Sequence, residues 1–489
     1  MASMSSTVER FSCVGVSAAH EHFMVFMVYN SGMRRAALLP VIAMTLLSCR
    51  PAAPPDPGWL TELRPAADKL IAASQASEFA WQRLAELTDT FGPRLSGSEN
   101  LERAIDWAVA QMQGDGLENV RKEPVMVPRW VRGRETLELM APARQPLPML
   151  GLGNSVATPL GGLEADVLVV GSFEDLDRRA ADAATRIVLF NVPFTTYGET
   201  VRYRTQGPSR AARVGAVAAL VRSIGPPGLR TPHTGATTYD EAAPKIPAAA
   251  IAAEDADRFQ RLQDRGVPIR VRLQMDAHFE PDAQSYNVVG EIRGRERPDQ
   301  IVLVGGHFDS WDVGVGATDD GGGCIVTWEA VRLMLQNGLR PRRTVRVVLF
   351  TNEENGLRGG NGYRDAHMAE LPNHVLLLES DGGVFDPAGF GFTGPDPARA
   401  TLTSIAALLR PLGADTILTA GSGADIGPSA TAAKIPTMSH VVRGDYFLIH
   451  HTPADTIARI TPKQMSDNAA AIAVMAYAVA EVPFRIDGR

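Results

Sequence analysis

The apolar run Ile301–Val304 leads through Gly305-Gly306 into His307 and Asp309, and the loop beyond carries Asp319-Asp320 ahead of three glycines. The run 344–352 ends at Glu353-Glu354, the run 374–380 at Asp381, and the stretch 445–449 at His450-His451. Carboxylates and imidazoles at the mouths of buried strands are costly, several kcal/mol each, unless they are paired, protonated or bound to a metal. Taken singly, each has an ordinary explanation. A strand-end histidine can be satisfied by a polar neighbour, Glu-Glu can sit in a solvated turn, and Asp-Asp can cap the helix that follows. Together they ask for a shared purpose, and cation binding supplies one. A mixed imidazole and carboxylate set with no thiolate suits zinc. There are too many carboxylates for one tetrahedral centre, which points to two ions about 3.5–4 Å apart with a carboxylate bridging them.

The elements that must position these groups are legible around them. From Tyr286 onward, near-continuous apolar strands alternate with amphipathic helices: "SYNVVGEI", "DQIVLVGGHFD", "CIVTWEAVRLMLQNG", "RTVRVVLFTNEE", "NHVLLLESDGG", "ARATLTSIAALLRPLG", "PTMSHVV" and "PKQMSDNAAAIAVMAYAVAEV". Strands that are apolar on both faces belong to a sheet covered on both sides, so the fold class is α/β with a mixed central sheet and helices on both faces. In such sheets, ligands bind beyond the C-terminal ends of the strands, where the candidate residues stand. Residues 59–122 read as helical. One helix follows the cap residue Ser77, and another restarts after Ser98 with Leu101, Ile105, Ala108 and Met112 on one face. Between them and the sheet, residues 123–283 show short β-like runs ("ADVLVVG", "RIVLFNV", "AVAALVRS", "IPAAAIAAED", "IRVRLQM") and one helix, "PSRAARVGAVAALV". This stretch reads as an inserted, mostly β domain without catalytic groups of its own. Residues 284–489 complete the catalytic domain.

The chain of 489 residues is 45% hydrophobic and 21% charged, the balance of a globular protein of two or three domains. A formal charge of −7 offers no basic footprint, so nucleic acid is excluded as a partner. Residues 1–58 read as targeting sequence. A fresh start at Met33 is followed by Arg34-Arg35 and by an apolar stretch to Leu47 that is too short to span a bilayer. Leu46-Leu47-Ser48-Cys49 resembles a bacterial lipoprotein cleavage box, with residues 50–58 as a tether and residues 1–32 as a misassigned extension. The expectation is an exported protein, periplasmic or secreted, touching membrane only through a lipid on Cys49; an ordinary secretory signal is the alternative. Of the three cysteines Cys13, Cys49 and Cys324, only Cys324 lies in the body of the chain, so no disulfide framework is available.

"GGHFDSWDVGVGATDDGGG", "TNEENG", "ESDGG", "SGADIG" and "HHTPADT" resemble the dizinc exopeptidases that include bacterial leucyl aminopeptidases and glutamate carboxypeptidases. "LTDTFGPRLSGSENLE", "TVRYRTQGPSRAARVGA" and "LRPRRTVRVVLFTNEE" draw the likeness toward the plasma glutamate carboxypeptidase branch, from Leu84 to the C-terminus. The resemblance implies the zinc exopeptidase (aminopeptidase-like) fold with a protease-associated insert and two Zn2+ per chain. His307 and Asp381 would ligate one zinc and Glu354 and His451 the other, with Asp319 bridging and Glu353 as general base. A water between the ions would be acidified to hydroxide, and Glu353 would pass its proton to the leaving amine. Asp320 would follow a strained, often cis, peptide. Asp309 would hold the second nitrogen of His307 or, on the plainer reading, cap the strand end. Several relatives carry tyrosine directly before the ligand histidine. Here that position is His450, either a transition-state hydrogen-bond donor or a packing residue. Tyr446 is another candidate donor or a core residue, and Asp425 either meets a substrate amine or sits in a turn.

A short peptide with free ends is the substrate the resemblance implies, and the basic stretch Arg202-Tyr203-Arg204 would meet a carboxylate if the insert roofs the cleft; otherwise it is a solvated face. Aminopeptidase specificity is the alternative within the same fold, and an inactive peptide-binding module is the alternative outside catalysis. A single-zinc cyclase shares the fold, but Asp319, Glu354 and His451 fit the hydrolase pattern at least as well. A homodimer is compatible with everything above.

Overall fold

A computed structural model of the chain describes residues 57–488. The leader, cleavage box and Cys49 expected at the N-terminus lie outside the described residues. Among the described residues, no helix is long and apolar enough to cross a membrane.

Two eight-stranded sheets carry the architecture. The first is built from β1 (Glu118–Val131), β10 (His278–Ile292), β11 (Arg297–His307), β12 (Arg343–Phe350), β13 (His374–Glu379), β14 (Asp386–Thr393), β15 (Thr416–Leu418) and β16 (Thr437–Arg443), in the order β1-β10-β12-β11-β13-β16-β14-β15. Its centre, β12-β11-β13-β16, is parallel, and β10 and β14 run antiparallel to it on either side. The apolar runs divide between the two faces with period two. Val302, Val304, Val345, Val347, Leu376 and Leu378 enter one core, while Leu303, Val348, Phe350 and Leu377 enter the core on the opposite face. At roughly 1.5–3 kcal/mol for each large apolar side chain buried, this two-sided burial is what fixes the register. The first face is covered by helices Gly58–Gln75, Gly322–Gln336 and Pro462–Glu481, the last buried along almost its whole length. That helix starts on a capping box: Thr461 accepts from Gln464 N, and the Gln464 side chain reaches back to Thr461 N. Ser98 caps Glu99–Gly114 in the expected place.

The second sheet takes in β2 (Glu135–Ala141), β3 (Gln145–Leu147), β4 (Met149–Gly151), β5 (Leu163–Val170), β6 (Ile187–Phe190), β7 (Ala218–Arg222), β8 (Ala248–Ile251) and β9 (Arg270–Met275), ordered β3-β2-β9-β5-β6-β7-β8-β4. It has its own cores. Two features differ from expectation. The segment is not mostly β: β5 to β8 are parallel, helices Phe173–Arg178 and Gly207–Arg213 lie in the connections from β5 to β6 and from β6 to β7, and helix Ala253–Asp264 leads from β8 to the antiparallel β9. In addition, 123–131 and 278–283 belong to the first sheet, because β1 and β10 continue as one antiparallel ribbon out to the pair Val131 and His278.

Candidate metal centre

β11 ends at His307, β12 is followed by Glu353 and Glu354, and β13 is followed by Asp381, so three neighbouring parallel strands deliver acids and an imidazole to one edge. Asp319 arrives on the irregular turn Ala317–Gly321 that opens helix Gly322–Gln336. His451, at positive φ (61°), follows the short helix Tyr446–Ile449. His307 Nε2 lies 3.3 Å from Asp319 Oδ1 and 3.5 Å from Asp381 Oδ1. His451 Nε2 lies 3.1 Å from Asp319 Oδ2 and 3.1 Å from Glu354 Oε2. The two oxygens of Asp319 thus face two different histidines, with Asp381 on one side and Glu354 on the other. His307, Asp319 and Asp381 could hold one cation, and Asp319, Glu354 and His451 a second.

The electrostatics ask for positive charge. Asp319 Oδ2 and Glu354 Oε1 are buried without a hydrogen-bond partner. Burial pushes the carboxyls of Glu353 and Glu354 well above their usual range, with the charges of Asp381 and Glu354 adding to the first and those of Asp319, Asp309 and Asp381 to the second. Burial draws the His307 imidazole down, but hydrogen bonds to Asp319 and Asp381 outweigh it and hold that proton well above the ordinary value. A divalent cation among these atoms would supply what protons otherwise must.

Around these groups stands a layer of supports. His307 Nδ1 donates to the main-chain oxygen of Asp309 at 3.0 Å, which turns Nε2 toward the acids. The Asp309 carboxylate, expected to take that nitrogen, is 3.8 Å away. It accepts instead from the amides of Glu353 (3.0 Å) and Glu354 (3.2 Å) and from Ser96 Oγ (3.0 Å), so it fixes the turn that presents both glutamates. Asp320 follows a cis peptide and accepts from the amides of His307 (3.1 Å) and Gly323 (3.2 Å). Any side chain at Gly306 or Gly323 would collide with that carboxylate, which is why glycine stands at both.

Two supports carry no assignment from the sequence. Asp455 is buried and accepts from Thr318 N (2.8 Å), Thr318 Oγ1 (2.8 Å) and Asp319 N (3.1 Å). Burial lifts it to about 6, with the Asp319 charge adding to the shift. Its signal was the quoted "HHTPADT", in which it is the one acid. Arg94, fully buried, donates to the carbonyls of Phe308 (3.0 Å), Val315 (2.7 Å) and Gly316 (3.1 Å), tying both ends of the loop between His307 and Asp319.

A cleft of about 490 Å³ opens over these groups, with Asp319, Glu353, Glu354, Asp381 and His451 at its floor. His450 and Tyr446 line it. The His450 ring stacks on His451 at 3.5 Å, and its Nε2 is 3.6 Å from Asp319 Oδ2; burial holds it well below the usual imidazole range, so it is neutral. Asp425 does not line the cleft. It is fully buried, both its oxygens lack hydrogen-bond partners, and its main chain packs against Gly360. The opposite wall comes from the second sheet's segment, expected to carry no chemistry: Asn154, Tyr197, Arg204 and Thr238. Of the basic stretch, Arg204 is buried and turned to the cleft, whereas Arg202 leans on Tyr203.

Residues 287–476 match Peptidase family M28. The chain is 46% identical to a bovine protein, Carboxypeptidase Q, over 84% of this chain and 88% of that one. It is 45% identical to the human protein of that name over the same shares. Among solved structures, a Peptidase M28 precursor from Shewanella amazonensis matches with a TM-score of 0.83 at 35% identity, covering 87% of this chain and 98% of that chain. A zinc aminopeptidase from Bacillus subtilis has a TM-score of 0.62 at 21% identity over 84% of this chain and 96% of its own, a likeness of fold.

Proposed function

The chain belongs to peptidase family M28, and from that premise we propose that it is a zinc-dependent exopeptidase acting on short peptides, dipeptides above all, as a carboxypeptidase Q-like hydrolase. The observation that carries the reading is the shared carboxylate: each oxygen of Asp319 faces its own histidine, and each of those histidines meets its own second acid. Two zinc ions fit the donor set, held by His307, Asp319 and Asp381 and by Asp319, Glu354 and His451. When bound, zinc acidifies a water and polarises the scissile carbonyl. Glu353, which lines the cleft beside these groups, takes the water's proton and delivers it to the departing amine. His450 offers a neutral imidazole to the reacting carbonyl. Asp309 and Asp320 keep the ligands in place. The second sheet's segment acts as a protease-associated insert that closes the cleft and limits substrate length. We place the protein outside the cytoplasm, on the leader and cleavage box read from the sequence.

The acid-rich floor favours a substrate amine, so aminopeptidase specificity is the second reading. Dipeptides with either end blocked separate the two. Loss of turnover on blocking the carboxyl end alone supports carboxypeptidase action, and loss on blocking the amine alone supports the other. Turnover of none of the free dipeptides would end the reading.

A further inference from the structure

Resting on that reading, we propose that Tyr197 is a further catalytic residue: its hydroxyl donates a hydrogen bond to the carbonyl oxygen that becomes negative as water attacks, and Arg204 is the positioning residue that aims it. Tyr197 begins the short helix Tyr197–Thr200, on the second sheet's segment, yet it lines the same cleft as Asp319 and Glu353. Its ring is clamped, stacked on Phe447 at 5.4 Å and edge-on to His450 at 5.2 Å. His450 in turn reaches to 3.6 Å from the shared carboxylate of Asp319.

The hydrogen bonding fixes the direction of the phenol. Arg204 Nη2 donates to Tyr197 Oη at 2.7 Å, so the tyrosine oxygen is an acceptor there. An arginine has no lone pair to offer in return, and the tyrosine proton must point elsewhere. Among the described residues, none accepts it in a hydrogen bond, which leaves the cleft. A cationic donor on the phenol oxygen also makes its O–H the stronger donor.

Arg204 itself is not placed to hold substrate. It is 5% exposed, its Nη1 donates to Thr234 O at 3.3 Å, and its Nε is buried without a partner. The backbone at Gly235 (φ 125°) passes so close that any side chain there would strike both Arg204 and His451. The guanidinium is therefore wedged between the second sheet's loop and the metal-ligand histidine, with Nη1 3.3 Å from His451 Nδ1 and Nη2 on the phenol.

In the reaction, the water oxygen bonds to the carbonyl carbon and the carbonyl π pair moves onto oxygen. That pair returns as the C–N bond breaks, and Glu353 carries one water proton to the departing nitrogen. Tyr197 stays neutral throughout and contributes only where charge develops. Removing one such donor typically lowers kcat by about 10²–10³-fold.

The test uses the zinc-loaded holoenzyme, a free dipeptide, and a phosphinic dipeptide analogue with phosphinate in place of the scissile amide. For Y197F, kcat is expected to fall about 10²-fold with KM within about threefold. Phosphinate affinity should fall by a matching factor, while metal content and affinity for the product amino acid hold. R204M should show the same pattern with a smaller loss, and R204K should recover part of it. Wild-type turnover with Y197F within about threefold of it overturns the proposal alone, as does a loss matched in product affinity, which marks ground-state binding. A wild-type protein that hydrolyses no dipeptide overturns the proposed function, and this inference with it. Should Y197F fail to fold, an unchanged phosphinate affinity in R204M overturns the proposal.

Discussion

Replacing Asp455 with asparagine tests whether the shared carboxylate owes its position to the layer beneath it. The substitution is isosteric and leaves no cavity. Asp455 accepts three hydrogen bonds, two from Thr318 through Oδ1 and one from the amide of Asp319 through Oδ2. An asparagine has one acceptor oxygen. If it keeps Thr318, its NH2 group confronts the Asp319 N–H, donor against donor; if it flips, the Thr318 amide is confronted instead. Either way one buried N–H is orphaned, a penalty of about 1–3 kcal/mol. The amide is also neutral, so a cation near Asp319 loses a second negative charge, and this acts in the same direction. If the penalty falls on the metal-loaded geometry, zinc affinity drops by about 5- to 150-fold, within the range for supports of metal ligands. Competition for zinc against a chromophoric chelator, on wild type and D455N, reads this directly, with urea unfolding of the chelated proteins reporting the cost to the fold alone. Thr318→Val removes only the hydroxyl bond and leaves the Asp319 amide satisfied, so its affinity should stay within about threefold. D455N holding zinc as tightly as wild type would refute the argument that Asp455 places Asp319.

Glu353→Gln keeps the shape of the cleft and removes the proton acceptor; turnover should fall by about 10²–10⁴-fold with metal content unchanged, and near-normal kcat would remove Glu353 as base. Protein purified without chelator should carry about two divalent ions per chain, and stripping them should abolish turnover and lower the unfolding midpoint, reversibly with zinc; a single ion at full activity would contradict the bridging part of Asp319. Burial pulls the imidazoles of His233, His374 and His440 each down to about 4. Between there and the ordinary 6.5, each of these histidines is protonated in the unfolded chain and neutral in the folded one, so its contribution to stability rises with pH across that window and is lost on acidification, by up to about 3 kcal/mol per histidine. Buried carboxyls such as Asp455 (about 6) and Glu379 (about 7) titrate in the same window with the opposite sign, so the effect is read as a difference. Urea unfolding of chelated wild type and His440→Gln from pH 4 to 7.5 should show wild type gaining stability over the variant as pH rises, and parallel profiles would refute it.

The strands of the first sheet could be read because they are buried on both faces: runs such as Val345–Phe350 are continuously apolar, and their ends are marked by the switch to Thr351, Asn352 and the two glutamates. The same abrupt ends made His307, Glu354 and Asp381 stand out. The supports did not, for reasons of distance along the chain. Arg94 and Ser96 act on residues more than two hundred positions away, and an arginine after Gly92-Pro93 looks like any surface turn until its distant carbonyl partners are in place. Asp309 was legible as a support but not in its aim, since whether its main chain or its carboxylate meets His307 depends on a side-chain rotation no pattern records. Tyr197 was hidden, and Arg204 was legible only as part of a basic stretch, for a third reason. They sit in a segment whose own pattern describes only its sheet, and they gain a neighbour of consequence only when that sheet meets the first.

The ribbon of β1 and β10 leaves the first sheet with Val131 and His278 as cross-strand partners. Entry to and exit from the second sheet are therefore adjacent in space, and all that lies between is a cassette plugged into a two-pronged socket. Every side chain proposed here to hold metal or to move a proton is on the host side of that socket. A graft of 132–277 from another chain would keep all of them in the host and exchange the far wall of the cleft, together with the Thr234 and Arg204 contacts to His451 Nδ1. The lineage can retune its diet through that exchange without renegotiating its chemistry, provided each incoming piece brings its own counterpart to the tyrosine and arginine it replaces.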